Sequence, residues 1–586
     1  MLNVFKFSCL VLLSLLFCKC ANQTQPTGGP QDEEPPELES SKPAQGELNV
    51  ETRQVELTFN EAIKLNSFKE QLIITPRIDA EYTPRYRKNK VIIDFEDPLS
   101  DSTTYTFNFR EAIQDITEGN APENLKLAFS TGHYLDSMSI DGKIHYILTN
   151  DPGTDITVAL YTFDDTLDIF TGPPLYFTRT DEEGYYSFEN IKVNQYRIYA
   201  FADGNKNLTN QSQSESYGFS SQLLQLDTSV TELDIPVQHL DVRELEMQSD
   251  RQSGTVYILK FNKHVTSYSL EAEDHPELRI SSNFSDDTHQ TINIYNNLPI
   301  ADSLTVFVRA YDSLQTEVID TAYVKFEETR RKPAEFKTPL SLEKVITDRR
   351  LVNGTINFSK PVQRINFDST YIYIDSLHIY PLDSTHFTWN FYKDKLEISY
   401  LLDKSLFQEK QEEEMPQQPA SQSLPSTPDS LGATSPVLDS LNAEEPPPKP
   451  EQPPHIYLAA ASFISAEQDS SQLIKQELSF SKPEQFGTII IEIQTDKPNY
   501  FIQLLDSKNE VVQETYNLAN FEFKYIEPGA YRMRILIDSN QNGQWDAGNI
   551  LTNTEPEPIL FYYSSTDEQE ITIRANFEIV PDPITF

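Results

Sequence analysis

The sequence predicts an all-β chain, an elongated string of β-sandwich domains, on three observations. Short runs such as Gln54-Val-Glu-Leu-Thr-Phe59 and Lys90-Val-Ile-Ile-Asp-Phe95 recur between turn-forming residues. Period-two alternation at that spacing is the pattern of antiparallel sandwich strands. The 34 Phe and 29 Tyr suit half-buried strands, and 586 residues are enough for several domains, each with its own core.

The first residues set where the chain is held. Lys6 precedes the apolar run Leu10-Val-Leu-Leu-Ser-Leu-Leu-Phe17, which is too short for a comfortable membrane span and reads as an export signal over residues 1–19. All three cysteines, Cys9, Cys18 and Cys20, lie within or at the end of that signal, so the mature chain keeps at most one or two cysteines and no intramolecular disulfide is expected. A cysteine at a signal's end is the acylation site of a bacterial lipoprotein. Cys20 is the candidate and Cys18 the alternative, since Lys19 stands where a small residue is usual. The run Cys20-Ala-Asn-Gln-Thr-Gln-Pro-Thr-Gly-Gly-Pro-Gln-Asp resembles the mature start of a family of Ig-like-domain lipoproteins of Bacteroidota. That resemblance implies lipid anchoring at the outer membrane, and residues 20–35 then read as a Pro/Gly-rich tether. Ala21-Asn-Gln-Thr lacks the acidic cluster that resembles a surface-export signal, which favours the periplasmic side.

From 36 to 132 the expected strands are Gln54–Phe59, Gln71–Thr75, Lys90–Phe95, Thr104–Phe109 and Lys126–Thr131. Leu57-Thr-Phe-Asn-Glu61, Ser102-Thr-Thr-Tyr-Thr-Phe107 and Ala128-Phe-Ser-Thr131 resemble the bacterial Ig-like domain of surface-layer proteins. Asp115 and Asn120 are expected to cap a turn. Residues 133–240 carry Thr157-Val-Ala-Leu-Tyr161 and Tyr196-Arg-Ile-Tyr-Ala-Phe201, with Asp181-Glu-Glu-Gly184 as a turn expected to close a hairpin. This segment resembles the transthyretin-like or carboxypeptidase-regulatory β-sandwich, which implies no catalysis of its own.

An internal repeat links this segment to the C-terminus. At an offset of 335, Phe188, Ile191, Tyr196, Arg197, Asp203, Asn205 and Asn207 correspond to Phe523, Ile526, Tyr531, Arg532, Asp538, Asn540 and Asn542. Residues 486–586 are therefore expected to be a second copy of the module. Between the copies, 241–330 and 331–485 read as two further β-domains, the latter interrupted by a Pro-, Ser-, Gln- and Glu-rich insertion at 408–454 expected to be disordered.

Charge excludes some functions. With 47 Lys+Arg against 90 Asp+Glu, the net charge is −43, which disfavours nucleic acid and anionic lipid surfaces as partners. No Gly-x-Ser-x-Gly, His-Glu-x-x-His or phosphate-binding glycine loop occurs, and the nine histidines are scattered, so a non-enzyme is expected. No cofactor is expected beyond a candidate structural Ca²⁺. Asp538, Asn540, Asn542 and Asp546 fall at positions 1, 3, 5 and 9 of a calcium-type loop with Gly543 at position 6, although Asn549 stands where a bidentate Glu is wanted. A turn braced by its own side chains is the alternative. Eleven Asp-Ser/Thr tripeptides ending in a small or aliphatic residue centre on Ser102, Ser137, Thr166, Ser303, Ser313, Thr321, Ser369, Ser376, Ser384, Ser430 and Ser440. They are similar to the O-glycosylation motif of exported Bacteroidota proteins; Asp-Ser is also a common turn pair. The function expected is a non-catalytic envelope scaffold that binds an unknown envelope protein. A cell-surface glycan-binding lipoprotein is the alternative, for which Trp389 and Trp545 are the only tryptophans, and an envelope hydrolase comes last.

Overall fold

A computed structural model describes residues 33–210, 215–297, 303–407, 452–497 and 499–586. The chain is all-β and divides into two compact units, 1–239 and 240–586. Five separate clusters of buried hydrophobic side chains are found among the described residues, two in the first unit and three in the second.

In the first unit, residues 38–130 form a sandwich. One sheet runs Leu38–Lys42, Gln54–Phe59, Lys90–Phe95, Tyr82–Arg87, and the other Ile73–Thr75, Thr104–Asn108, Lys126–Ser130. Alternation decides which side faces in: Val55, Leu57 and Phe59, and Val91, Ile93 and Phe95, are buried while their neighbours are less so. Phe107 stacks on Phe129 at 5.6 Å in the core. Where a strand is expected from Gln71, the chain instead makes a short helix, Phe68–Gln71, before the strand Ile73–Thr75. Phe68 is buried and packs against Phe109 at 6.3 Å, which ties the helix to the core, and the expected strand is shortened to Ile73–Thr75.

The second cluster of this unit lies between the sheet Tyr185–Ile191, Met138–Tyr146, Ile235–Val237 and the sheet Tyr176–Arg179, Ile156–Thr162, Asn194–Ala202, Tyr217–Phe219. The Asp181–Gly184 turn does not close a hairpin. The strands on either side of it belong to different sheets, so the turn carries the chain across the core. Gly184 has φ +76°, and its carbonyl accepts from Ile144 N–H at 2.8 Å. A Cβ there would stand 2.4 Å from the Ile144 carbonyl oxygen, which is why the turn needs glycine.

The second unit opens with two sandwiches built to the plan of the first. Their four-stranded sheets run Met247–Ser253, Val256–Phe261, Thr291–Tyr295, Ser282–Phe284 and Leu340–Leu342, Leu351–Asn357, Lys395–Leu401, Phe387–Trp389. In chain order this is the arrangement of the first sandwich. The opposing sheets are Ser267–Ala272, Leu304–Tyr311, Glu317–Val324 and Ile379–Pro381, Thr370–Tyr373, His455–Leu458, Ile474–Glu477. Thr370–Tyr373 therefore pairs with a strand located after residues 408–451, which lie outside the described residues. Tyr392 joins the two sandwiches. Its ring stacks on Tyr268 at 4.6 Å and packs against the core of the preceding domain.

The last module repeats the second. Val511–Tyr516, Tyr500–Leu505, Gly529–Ile537 and Ile559–Phe561 form one sheet in the order of its counterpart, and Gly487–Gln494 pairs with Asn520–Ile526 in the other. The repeat extends to single hydrogen bonds. Tyr196 Oη donates to the Lys192 carbonyl at 2.7 Å, and Tyr531 Oη to the Glu527 carbonyl at 2.8 Å.

Candidate functional site

The two copies of the acidic loop can be compared atom by atom. In the first, Asp203 accepts from Asn207 N–H and Leu208 N–H, each at 3.0 Å; in the second, Asp538 accepts from Asn542 N–H and Gly543 N–H, also at 3.0 Å. Asn205 and Asn540 likewise accept from Asn207 and Asn542 N–H, at 3.1 and 3.0 Å. The brace therefore forms whether position 6 is Leu208 (φ +62°) or Gly543 (φ +85°).

The second copy adds two acids. Asp546 accepts from the side-chain amides of Asn540 at 2.5 Å and Asn542 at 2.6 Å. Glu557 accepts from the N–H groups of Ser539, Asn540 and Asp546 at 2.7 to 3.0 Å. Asn549, at position 12 of the loop, caps the turn Ile550–Thr552 through Leu551 N–H. Asp538, Asn540, Asn542 and Asp546 are thus brought together, but their acceptor oxygens meet N–H donors of the loop. No group of three or more His, Cys, Asp or Glu among the described residues is arranged to hold a metal. Glu557 is a member that sequence spacing could not supply, because it comes from beyond the loop.

Nine of the eleven Asp-Ser/Thr centres are described. Ser102, Ser137, Thr166, Ser303, Ser313, Ser369, Ser376 and Ser384 lie at the surface, exposed or half-buried, and Thr321 is half-buried in strand Glu317–Val324. In four of these motifs the aspartate makes an Asx brace. Asp165, Asp312, Asp375 and Asp383 accept the amide two residues on, from Leu167, Leu314, Leu377 and Thr385, at 2.8 to 2.9 Å. The His378 ring and the Leu377 and His378 amides hold the Asp375 carboxyl below its ordinary range. The hydroxyl residue then projects from a turn whose shape its neighbour maintains. Ser430, Ser440, Cys18 and Cys20 lie outside the described residues.

The histidines do not assemble a catalytic unit. His378 Nδ1 stands 2.9 Å from Asp375, His275 Nδ1 lies 3.4 Å from Glu277, and His264 stacks on His289 at 5.0 Å. No histidine–hydroxyl hydrogen bond is found among the described residues. Both tryptophans are half-buried. Trp389 stacks on Phe358 at 5.5 Å, and Trp545 donates its ring N–H to the Glu557 carbonyl at 2.8 Å.

Two buried lysines were not singled out by sequence. Lys263 Nζ lies 2.6 Å from Asp312 and also donates to the Asp241 and Arg243 carbonyls. Lys360 Nζ lies 2.6 Å from Glu467 and bonds Asp469. Their common signal is the run after the second strand of each sandwich: Phe59-Asn60-Glu61-Ala62-Ile63, Phe261-Asn262-Lys263-His264-Val265 and Phe358-Ser359-Lys360-Pro361-Val362.

No helix among the described residues is long and apolar enough to cross a membrane. The search of curated proteins returns no match. Among solved structures, the chain is similar to BcpA, the major pilin subunit of Bacillus cereus, at 8% identity over 77% of this chain and 98% of that chain, with a TM-score of 0.12. It is also similar to surface layer protein SbsC, domains 1–6, at 10% identity over 92% and 68%, with a TM-score of 0.13. Residues 32–131, which include the first sandwich, match the family model of the bacterial Ig-like domain.

Proposed function

We propose that the chain is a non-catalytic lipoprotein of the cell envelope, anchored through Cys20, or alternatively Cys18, at the outer membrane. It faces the periplasm and acts as a scaffold through protein contacts. The observation that carries this reading is how the polar groups are used. Asp165, Asp312 and Asp375 brace turns, and Asp312 and Glu467 pair with the buried Lys263 and Lys360.

Exposed tryptophan platforms would favour glycan binding, and both tryptophans are half-buried against protein groups, which favours protein partners. The surface Asp-Ser/Thr turns are proposed as O-glycan acceptors, with the aspartate retaining its structural part in the turn. The Asp538 loop is proposed as a self-braced turn that forms without calcium.

Protease treatment of intact and permeabilised cells tests the placement, with 408–454 as the cleavage site. Protection until permeabilisation is the expected result, and cleavage in intact cells would place the chain on the surface. Incorporation of labelled palmitate should be lost in Cys20→Ala; loss only in Cys18→Ala would move the anchor.

A further inference from the structure

A cleft of about 780 Å³ opens between the third and fourth sandwiches. Strand Ser267–Ala272 runs along it, contributes Tyr268, Ser269 and Leu270 to the lining, and is hydrogen-bonded to a neighbouring strand on one side only. Its register pairs Tyr268 with Ala310 and Leu270 with Val308, and Glu273 N–H bonds the Thr305 carbonyl. In an antiparallel ladder every second residue faces its partner. That bond therefore places Ser267, Ser269 and Glu271 toward the neighbour and turns the N–H and C=O of Tyr268 and Leu270 outward. The Tyr392 hydroxyl takes up the Tyr268 pair, at 3.1 Å to the nitrogen and 3.3 Å to the oxygen. The Leu270 pair is left on the free edge, at the spacing an added strand would use.

Side chains around the edge supply anchoring and charge. Phe391 is 73% exposed on the loop between Phe387–Trp389 and Lys395–Leu401 and offers an apolar ring at the cleft. The loop is held in place: Asn390 accepts from the Asp394 and Lys395 N–H groups at 3.1 Å, and Arg279 donates to the Phe391 carbonyl at 2.9 Å. Arg279 and Lys393 line the cleft, the latter 5.3 Å over the Trp389 ring, and neither is in an ion pair among the described residues. Glu277 is the one acid in the lining. Two cations against one acid is a local reversal in a chain of net charge −43.

We propose that this cleft takes an extended segment of a partner polypeptide, added as a strand beside Leu270. An apolar side chain of the segment packs on Phe391 and an acidic one faces Arg279 and Lys393. A saccharide would use the rings and the polar side chains and does not require a main-chain donor and acceptor at strand spacing, whereas an added strand does. The inference rests on the protein-binding reading above and names the surface for it.

The test is to pan phage-displayed random dodecapeptides on the whole mature chain, then to measure the selected peptides on Leu270→Pro and Phe391→Ala. The first removes an outward N–H that takes no part in the sheet; the second alters an exposed ring and leaves the cores intact. Acid-containing peptides should be enriched, and each variant should weaken their binding by about tenfold or more. No enrichment, or binding to both variants as tight as to the unaltered chain, would overturn the proposal. So would a glycan-array signal lost in Phe391→Ala and kept in Leu270→Pro, which would make the cleft a saccharide site. A photo-crosslinking residue at Tyr86 in the first sandwich separates the two readings. Protein crosslinks from Tyr86 that survive both cleft substitutions, with no peptide binding at the cleft, would keep the scaffold and discard this surface.

Discussion

Asp115 shows how a single buried acid is kept ionised. Burial pushes its carboxyl up, but the Gly119, Asn120 and Glu118 N–H groups and the Thr117 hydroxyl outweigh that and hold it below the ordinary carboxylate range. A depressed folded-state pKa contributes stability above the pKa of the unfolded carboxyl, and loses it as pH falls through the folded value. Asp115→Asn should therefore lower stability at neutral pH by about 1–3 kcal/mol and flatten the acid limb of the stability curve. Denaturant unfolding across pH 3 to 7 checks both, and an unchanged acid limb would count against the brace. Asp538 braces its loop with hydrogen bonds of the same kind, from Asn542 and Gly543 N–H. Because Asp203 makes the same bonds with Leu208 in place of glycine, a chelator should leave the melting temperature of the last module unchanged. A fall on adding EGTA would show that the loop holds calcium.

At the scale of the element, the run after the second strand of each sandwich matters most. Lys263 and Lys360 carry their charge into the end of the sandwich, where each meets buried carboxylate and, for Lys263, two carbonyls. Removing one member of such a cluster leaves the other charge buried and unpaired. Lys360→Met should cost about 3–5 kcal/mol on that ground, measured by thermal unfolding, with loss of structure first in the fourth sandwich by hydrogen exchange. A cost below about 1 kcal/mol would mean that water compensates Glu467 and Asp469. The short ladders Ile63–Leu65 with Ile113–Asp115 and Val362–Ile365 with Phe463–Ser465 start from the same position, so the run both turns the chain and seats the charge.

Across the whole molecule, each module buries its own apolar cluster, and particular contacts join neighbours within a unit. Tyr392 does this between the third and fourth sandwiches; Lys344 with Glu527 at 2.6 Å, and Tyr525 with Asp348 at 2.7 Å, do so between the fourth and the last. Tyr392→Ala should free Tyr268 and expose the edge at that residue. Faster amide exchange at Tyr268, with the other cores unchanged, is the expected signature. Unchanged exchange there would mean the two sandwiches are held together by other contacts.

The sequence by itself determined the all-β class, because alternation writes the two faces of a strand directly into the order of residues. Gln54–Phe59 and Lys90–Phe95 were legible for that reason, and the repeated module was legible from matching residues at an offset of 335. Turn chemistry was legible too, since an Asx brace spans only a few positions, as at Asp115 and Asp538. The tertiary structure alone decided what depends on distant partners. It decided that Asp181–Gly184 crosses between sheets, that Gln71 ends a short helix and leaves the strand to begin at Ile73, and that three sandwiches share one strand order. It also placed Glu557 against the Asp538 loop, and Phe391 and Arg279 beside the free edge at Leu270. Local pattern records which side of a strand is apolar, whereas strand partners and cleft walls are selected by packing between residues tens to hundreds of positions apart.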